Sequence, residues 1–271
     1  MSRPVGSSCW IDCNTQNPER TIPFYEGLFG WTFTDTGEDF ASYRIIHNQG
    51  AVVGGFMDVS GMTCPAGDPL PAMWDVYLAV EDADARVKLA VENGGQLLMG
   101  PDDAGTAGRF AILLDAAGSN VSLWQAGETE GYEFTGRPGS PVWFELMTHR
   151  YDKAAEFYTA VFEANLMPMG DDLQEDCEAF RYSTNGAGDQ ATWGLGDATG
   201  MMPQEATGWR VYFGVASSEE ALAKVTELGG TVLDGPQPSP FGTIATVADP
   251  DGATFQICAM SEAGNEPALG S

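Results

Sequence analysis

Lysine is almost missing from this chain, with three residues, at 88, 153 and 224, among 271. Few amines are therefore at hand to form a Schiff base with a carbonyl compound. Basic residues of both kinds number 12 against 39 acidic ones, a formal charge of −27. That balance repels phosphate backbones and anionic lipid surfaces, so neither nucleic acid nor membrane is expected as a partner. What it allows is a dispersing acidic surface or a cleft that attracts a cation. Cysteine is sparse and odd in number (Cys9, Cys13, Cys64, Cys177 and Cys258), without the density of a disulfide scaffold. No stretch approaches about 18 apolar residues, and no charged segment leads into an apolar run at the N-terminus. A reduced, cytoplasmic, soluble protein is expected, a monomer or homodimer that handles a small-molecule ligand.

What the chain does have is a repeat. Cys9-Trp10-Ile11-Asp12, followed by Pro23-Phe24-Tyr25-Glu26-Gly27-Leu28-Phe29, returns as Val142-Trp143-Phe144-Glu145 and then Glu156-Phe157-Tyr158-Thr159-Ala160-Val161-Phe162, a shift of 133. Trp74-Asp75-Val76-Tyr77 is answered by Trp209-Arg210-Val211-Tyr212, Gly94-Gly95 by Gly229-Gly230 and Gly100-Pro101 by Gly235-Pro236, each at a shift of 135, and Asp115 with Gly118 by Asp249 with Gly252 at 134. Solenoid units run about 20–50 residues. A period this long is instead a duplicated domain, long enough for each copy to bury its own core.

Each copy predicts the same order of elements. Residues 8–14 read as a strand, and Asn17-Pro18-Glu19 reads as an N-cap, a first-turn proline and a first-turn acid opening a helix that runs to about Phe29. Strands follow near 31–35, 41–47 and 51–58, then a loop rich in Gly, Met and Pro, then a strand over 74–80. Asp82 caps a second helix that Gly94-Gly95 stops, and strands near 96–99, 108–114 and 120–125 complete the copy. In the second copy strands are expected at 142–148, near 165–169, 178–183 and 190–196, at 209–215, and near 231–234, 242–248 and 253–259, with helices at 152–163 and 218–228. Ser217 and Glu220 have the spacing of a capping box. The division expected is a first module over 8–126, a linker over 127–140 and a second module over 141–260.

This order, with Phe-Tyr on the first helix and Asp249-Pro250-Asp251-Gly252 before the last strand, resembles the vicinal oxygen chelate superfamily of glyoxalase I, the bleomycin-resistance proteins and the extradiol dioxygenases. Trp-x-[Asp/Glu] opening each copy is most similar to tandem glyoxalase-like proteins of actinobacteria. The resemblance implies an α+β fold of two βαβββ-βαβββ modules, with curved mixed sheets that enclose a cavity. It also implies four metal ligands per module, from the first, fourth, fifth and last strands, usually His or Gln, Glu, His and Glu. The first position falls on Trp10 or Trp143, the fourth-strand position near Gly54-Gly55 or Trp193-Gly194, the fifth on Asp75 or Arg210, and the last on Ser122 or Gln256. Imidazole and carboxylate donors are missing from most of these places. His47 and His149, the only histidines, fall outside them. The expectation is a protein without a metal or other cofactor. A divalent site built another way, from Asp12, Glu145 and Asp75, is the alternative.

Strand alternation puts Trp10, Asp12, Asp75, Tyr77, Ser122 and Trp124 on the inward face of the first copy, and Trp143, Glu145, Met147, Arg210, Tyr212, Gln256 and Cys258 on that of the second. Aromatics with a few polar groups are the usual lining of a small-molecule pocket. Asp12 and Glu145 are candidate general bases, and Tyr77 and Tyr212 candidate acids. Arg210 is a candidate grip for an enolate or carboxylate, while Trp10, Asp75, Ser122, Trp124, Trp143, Met147 and Gln256 are candidate ligand contacts. The structural alternatives are cavity filling by the two indoles, a pair of Glu145 with Arg210, and a bond of Asp12 to a backbone amide. Cys9 and Cys13 fall on the helix-facing side as buried thiols. Met57, Met62, Met73, Met201 and Met202 fit adaptable lids or plain core edges. Two function classes follow: a metal-independent lyase or isomerase acting on an aromatic or polyketide-like metabolite, and a drug- or metabolite-sequestering protein of the bleomycin-resistance kind. A metal-dependent lyase or dioxygenase is the third.

Overall fold

The computed structural model describes residues 3–37, 43–64, 67–169 and 180–263. Cys177, and parts of the strands expected at 41–47 and 178–183, lie outside these residues. The first copy runs β1 (Ser8–Thr15), α1 (Pro18–Phe29), β2 (Thr32–Asp35), β3 (Arg44–Asn48), β4 (Ala51–Asp58), β5 (Met73–Val80), α2 (Ala83–Glu92), β6 (Gln96–Asp103), β7 (Gly108–Leu114) and β8 (Asn120–Ala126). The second runs β9 (Pro141–Thr148), α3 (Tyr151–Phe162), β10 (Met167–Pro168), β11 (Tyr182–Thr184), β12 (Gly194–Asp197), β13 (Gly208–Gly214), α4 (Ser218–Glu227), β14 (Thr231–Ser239), β15 (Gly242–Ala248) and β16 (Thr254–Ala259).

Each copy forms one open eight-stranded mixed sheet, in the orders β2-β3-β4-β1-β5-β8-β7-β6 and β10-β11-β12-β9-β13-β16-β15-β14. The two βαβββ halves of a copy join where β1 meets β5, or β9 meets β13, antiparallel. Neither sheet closes into a barrel. Alternation does what the sequence predicts: Cys9, Ile11 and Cys13 are fully buried on the helix side, and Trp10, Asp12 and Asn14 face the other way.

Local signals at the helix ends are partly overridden. Asp82 accepts from Ala85 N at 3.0 Å and Ser217 Oγ from Glu220 N at 3.3 Å, so α2 and α4 are capped as expected. Asn17 holds the cap position of α1 but its side chain makes no cap bond. Asp251 of the other copy takes over, accepting from Thr15 Oγ1 at 2.7 Å, Asn17 N at 3.2 Å and Gln16 N. A carboxylate at a helix N-terminus also meets the positive end of the helix dipole.

Helices pack across the copies, α1 against α4 and α2 against α3. Gly27 permits the first contact, because a Cβ there would lie 2.8 Å from Leu228 Cδ1. Two reciprocal latches fix the arrangement. The Tyr25 hydroxyl donates to Asp249 at 3.2 Å and accepts from Trp74 Nε1 at 2.9 Å. The Tyr158 hydroxyl donates to Asp115 at 3.0 Å and accepts from Trp209 Nε1 at 3.0 Å. Each latch joins a tyrosine and a tryptophan of one copy to an aspartate of the other. Around the first, Phe29, Trp31, Trp74, Phe213 and Phe255 form one aromatic cluster, with Trp74 and Phe213 centroids 5.1 Å apart.

Phe213 is fully buried and touches rings of both copies, so Phe213→Ala leaves a cavity that spans the interface. The expected loss is about 3–5 kcal/mol, read by urea denaturation as a lower midpoint of one cooperative transition. A loss under about 1 kcal/mol would show that the cluster is not what joins the copies.

Candidate functional site

The inward side of the first module is built around Asp12, which sits opposite Gly55 on β4 and Asp75 on β5. Its Oδ1 accepts from Trp10 Nε1 at 2.9 Å and from the Tyr43 hydroxyl, and its Oδ2 accepts from the Tyr77 hydroxyl at 2.7 Å. Trp10 Nε1 also reaches the Tyr43 oxygen, at 2.9 Å. Three donors on one buried carboxyl replace the backbone amide considered as its partner. Burial nonetheless raises the Asp12 pKa, opposed by the three hydrogen bonds. The Tyr43 and Tyr77 phenols are pushed well above their usual range, first by burial and then by the Asp12 charge.

Glycine makes this possible. A Cβ on Gly55 would collide with the Tyr43 hydroxyl and with Asp12 Oδ1. The second module repeats the device, since a Cβ on Gly194 would collide with the Tyr182 hydroxyl. There Trp143 Nε1 donates to the Tyr182 hydroxyl at 3.0 Å, and the Tyr212 hydroxyl donates to Glu145 Oε2 at 2.7 Å. Tyr182 hydrogen-bonds the Glu145 carboxyl as well, and burial raises the pKa of that carboxyl.

Tyr43 and Tyr182 were not among the residues singled out from the sequence. A signal existed, because they match at a shift of 139, as do Gly55 and Gly194. The shift of 133 that aligns the first helices hides it. Asn14 and Asn120 are also additions. Asn14 Nδ2 donates to Asp75 Oδ2 at 2.6 Å and Asn120 Nδ2 donates to Oδ1, pinning Asp75 between β1 and β8. Burial, and then the charge of Asp12, push Asp75 up to about 7.

Other expected residues are placed differently. Glu145 and Arg210 are cross-strand neighbours, yet Arg210 Nη2 bonds Met202 Sδ at 2.9 Å and Ala206 O at 3.1 Å, and the side chain turns to the 201–207 segment. The anticipated ion pair is therefore not formed. Trp124 Nε1 donates to Thr129 O at 2.9 Å, so its polar edge serves the chain after β8. Gln256 Oε1 accepts from Thr246 Oγ1 at 2.8 Å. Met147 is buried against Gly196. Cys258 is buried, with its sulfur toward Phe241 O. Ser122, level with Tyr77 on the neighbouring strand, is fully buried and its hydroxyl has no partner. His47 faces Thr34, and His149 Nε2 lies 2.8 Å from Met202 O.

One hollow of about 260 Å³ lies beside Trp124, Arg3 and Glu130, and another of about 310 Å³ lies between the modules at Trp74 and Trp209.

Residues 10–123 match the family described as Glyoxalase/Bleomycin resistance protein/Dioxygenase superfamily, and residues 143–258 match the family described as Glyoxalase-like domain. The chain belongs to this superfamily, as two tandem glyoxalase-like modules. It is 32% identical to the glyoxylase-named protein CFP32 of Mycobacterium tuberculosis (strain CDC 1551 / Oshkosh), over 93% of this chain and 94% of that one. It is 33% identical to the anthracycline biosynthesis protein DnrV of Streptomyces peucetius, over 95% of this chain and 94% of that one. A Mn(II)-bound glyoxalase from Novosphingobium aromaticivorans shares the fold, with a TM-score of 0.62 at 13% identity, over 99% of this chain and 89% of the other.

Of the places that the resemblance assigns to metal ligands, Asp75 in the first module and Gln256 in the second carry an oxygen donor of the usual kind, and the first- and fourth-strand places do not. The first-strand indoles have no lone pair to offer, glycine supplies no donor, and the Tyr43 hydroxyl fills the space beside Gly55. Among the described residues, no group of three or more His, Cys, Asp or Glu side chains gathers in a way that could hold a metal.

Asp75 makes the site legible in a titration. Its carboxyl is raised from 3.8 to about 7, so between those values the folded chain keeps a proton that the unfolded chain has released. The stability contributed by this group is greatest below pH 3.8 and is lost as pH rises through about 7. Asp75→Asn removes that dependence. The unfolding free energy of the parent, obtained from urea denaturation, should fall relative to that of the variant between pH 4.5 and 7.5 by an amount on the order of a few kcal/mol. A gap between the two proteins that is constant with pH would disprove the shift.

Proposed function

We propose that this chain binds a small aromatic or polyketide-like metabolite of secondary metabolism, and converts it by acid/base chemistry carried on organic side chains instead of a metal. The observation that carries this reading is the indole, carboxyl and two phenols occupying, in both modules, the region where a cation would be ligated. The likeness to DnrV, named as an anthracycline biosynthesis protein, supports the aromatic ligand. A carboxyl lifted above its usual range is suited to take up and return a proton near neutral pH. In this reading Asp12 or Glu145 accepts a proton from carbon next to a carbonyl, the electron pair moves to the carbonyl oxygen, and Tyr77 or Tyr212 donates the proton that leaves an enol. The carboxyl then returns its proton to a different carbon conjugated with the enol while the enol O–H proton passes back to the tyrosine, which restores the carbonyl and both side chains and completes an isomerisation; in the second module Arg210 steadies the oxygen as it becomes negative.

One observation favours the second reading, a protein that sequesters its ligand without changing it. Three donors already hold the Asp12 carboxyl, two on Oδ1 and one on Oδ2, which leaves a single lone-pair site on Oδ2 for a substrate proton.

Glu145→Gln separates the two. In the first reading it abolishes conversion of a tetracyclic anthracyclinone, followed by chromatography, while the dissociation constant stays within about threefold. If conversion by the parent is absent and Trp143→Ala alone destroys affinity, the sequestering reading holds. For the metal, elemental analysis of the purified chain should find Mn, Fe, Ni and Zn well below one equivalent, and chelator treatment should leave affinity unchanged. One tightly held equivalent, removable with loss of function, would overturn the metal-independent reading.

A further inference from the structure

The two modules carry one cluster in two states of closure. In the first, Trp10 and Asp12 are each 7% exposed, whereas Trp143 and Glu145, at the same places in the second, are both partly exposed. The strands beside them differ in kind. Across β1, β5 and β8 the first module sets Asn14, Asp75 and Asn120, a hydrogen-bonded bridge that sews three strands together. Across β9, β13 and β16 the second sets Met147, Arg210 and Thr254 at the corresponding places. Among the described residues these three side chains make no hydrogen bonds to one another, because Arg210 turns to Met202 and Ala206 instead.

Charge separates the halves further. The first module gathers two buried carboxyls, Asp12 and Asp75, within one cross-strand pair. An anionic oxygen entering there meets two carboxyls, which further disfavours their ionised forms in a poorly solvated place. In the second, Glu145 and Arg210 are cross-strand neighbours whose side chains are not ion-paired, the guanidinium turning to Met202 and Ala206. A guanidinium carries five N–H donors, and the two protein acceptors that hold Arg210 both sit on a single nitrogen, Nη2. Tyr182 and Tyr212 flank the same carboxyl, and the half-buried indole of Trp143 lies next to Tyr182.

We infer that the second module is the ligand-accepting half, that the first is a closed structural copy, and that the ligand is a planar aromatic hydroxy-ketone. Its ring lies on Trp143 and its phenolic or enolic oxygen pairs with Arg210. Stacking on an indole selects a flat ring, and a fork of N–H donors selects an oxygen that carries negative charge. This assignment rests on the reading that the chain takes an aromatic metabolite, and it adds where that metabolite goes and which group on it is recognised.

The test uses the full chain and 1,8-dihydroxyanthraquinone as the probe, titrated by tryptophan fluorescence. Arg210→Met is expected to weaken binding by about tenfold or more, with Arg210→Lys intermediate because it keeps the charge and loses the fork. Asn14→Ala, which opens the bridge in the first module, is expected to lower the melting temperature and leave the dissociation constant within about twofold. A second measurement needs no ligand: hydroxyl-radical footprinting of the native chain read by mass spectrometry. Trp143 should be oxidised several times faster than Trp10, and the probe should protect Trp143. Loss of affinity in Asn14→Ala with parental affinity in Arg210→Met overturns the assignment, as does labelling of Trp10 as fast as Trp143. If the parent does not bind the probe at all, the aromatic-ligand reading fails, and the footprint alone then decides between an open second module and two equivalent ones.

Discussion

The reciprocal Tyr-Asp latch between the modules is the constraint from which the rest of the architecture follows. Each tyrosine hydroxyl spends its one hydrogen on an aspartate of the other module and takes an indole N–H from its own. Hydrogen bonds to a charged group contribute about 1.5–3 kcal/mol, and a buried carboxylate deprived of one costs comparably. Each aspartate's Oδ1 is held by backbone amides of its own loop, and its Oδ2 takes the tyrosine of the other module, so each module supplies one donor to a carboxylate of its partner. With helices and latches between them, the two sheets must sit back to back, and the strand faces bearing Trp10 and Trp143 turn away from each other. Two separate inward faces result, not one shared chamber.

Those inward faces pose an electrostatic problem that a cation would otherwise solve. A carboxyl in a poorly solvated sheet must be protonated, paired or surrounded by donors. Here the donors are an indole and two phenols, and accommodating them requires coupled substitutions. Tyrosine on the third strand needs room, which only glycine on the fourth strand leaves. In the first module the indole N–H lies between the tyrosine oxygen and the carboxyl two residues on, and in the second it donates to the tyrosine oxygen. Restoring a side chain at Gly55 or Gly194 without removing the phenol would produce a collision, and removing the phenol alone would leave a carboxyl short of a partner. The set holds together as a unit, which is why it occurs as a unit in both copies.

Much of this was legible in the chain. The duplication, the order of elements and the side of each strand on which Trp10, Asp12, Asp75 and Tyr77 lie follow from periodicity and repeat spacing, because a strand's two-residue period is enforced by the burial of its other face. Side-chain partnerships were less accessible. Tyr43 and Tyr182 were hidden because the spacing between copies changes from 133 to 139 after the first helix, so the phenols do not line up where the helices do. Asn17 looks like a cap, but Asp251 reaches it from more than two hundred positions away, a distance at which local pattern carries no information. Arg210 is beside Glu145 on the sheet, yet a long flexible side chain chooses among acceptors, and it takes Met202 and Ala206. Backbone register can be read from sequence; the direction of the last three bonds of an arginine cannot.

The pattern of likeness between the copies gives physical sense to the duplication. Residues of the latch are identical in the two halves, Tyr25 with Tyr158, Trp74 with Trp209 and Asp115 with Asp249. Those around the inward carboxyl differ: Asn14 against Met147, Asp75 against Arg210, Asn120 against Thr254, Ser122 against Gln256. A latch residue answers to the opposite module, so a change in one copy must be matched by a change in the other. An inward residue answers only to its own sheet and to whatever enters from solvent. The back-to-back arrangement thus ties the halves together at the interface and releases them from each other at the outer faces, and this release lets a single fold set Asp12 opposite Asp75 in one half and Glu145 opposite Arg210 in the other.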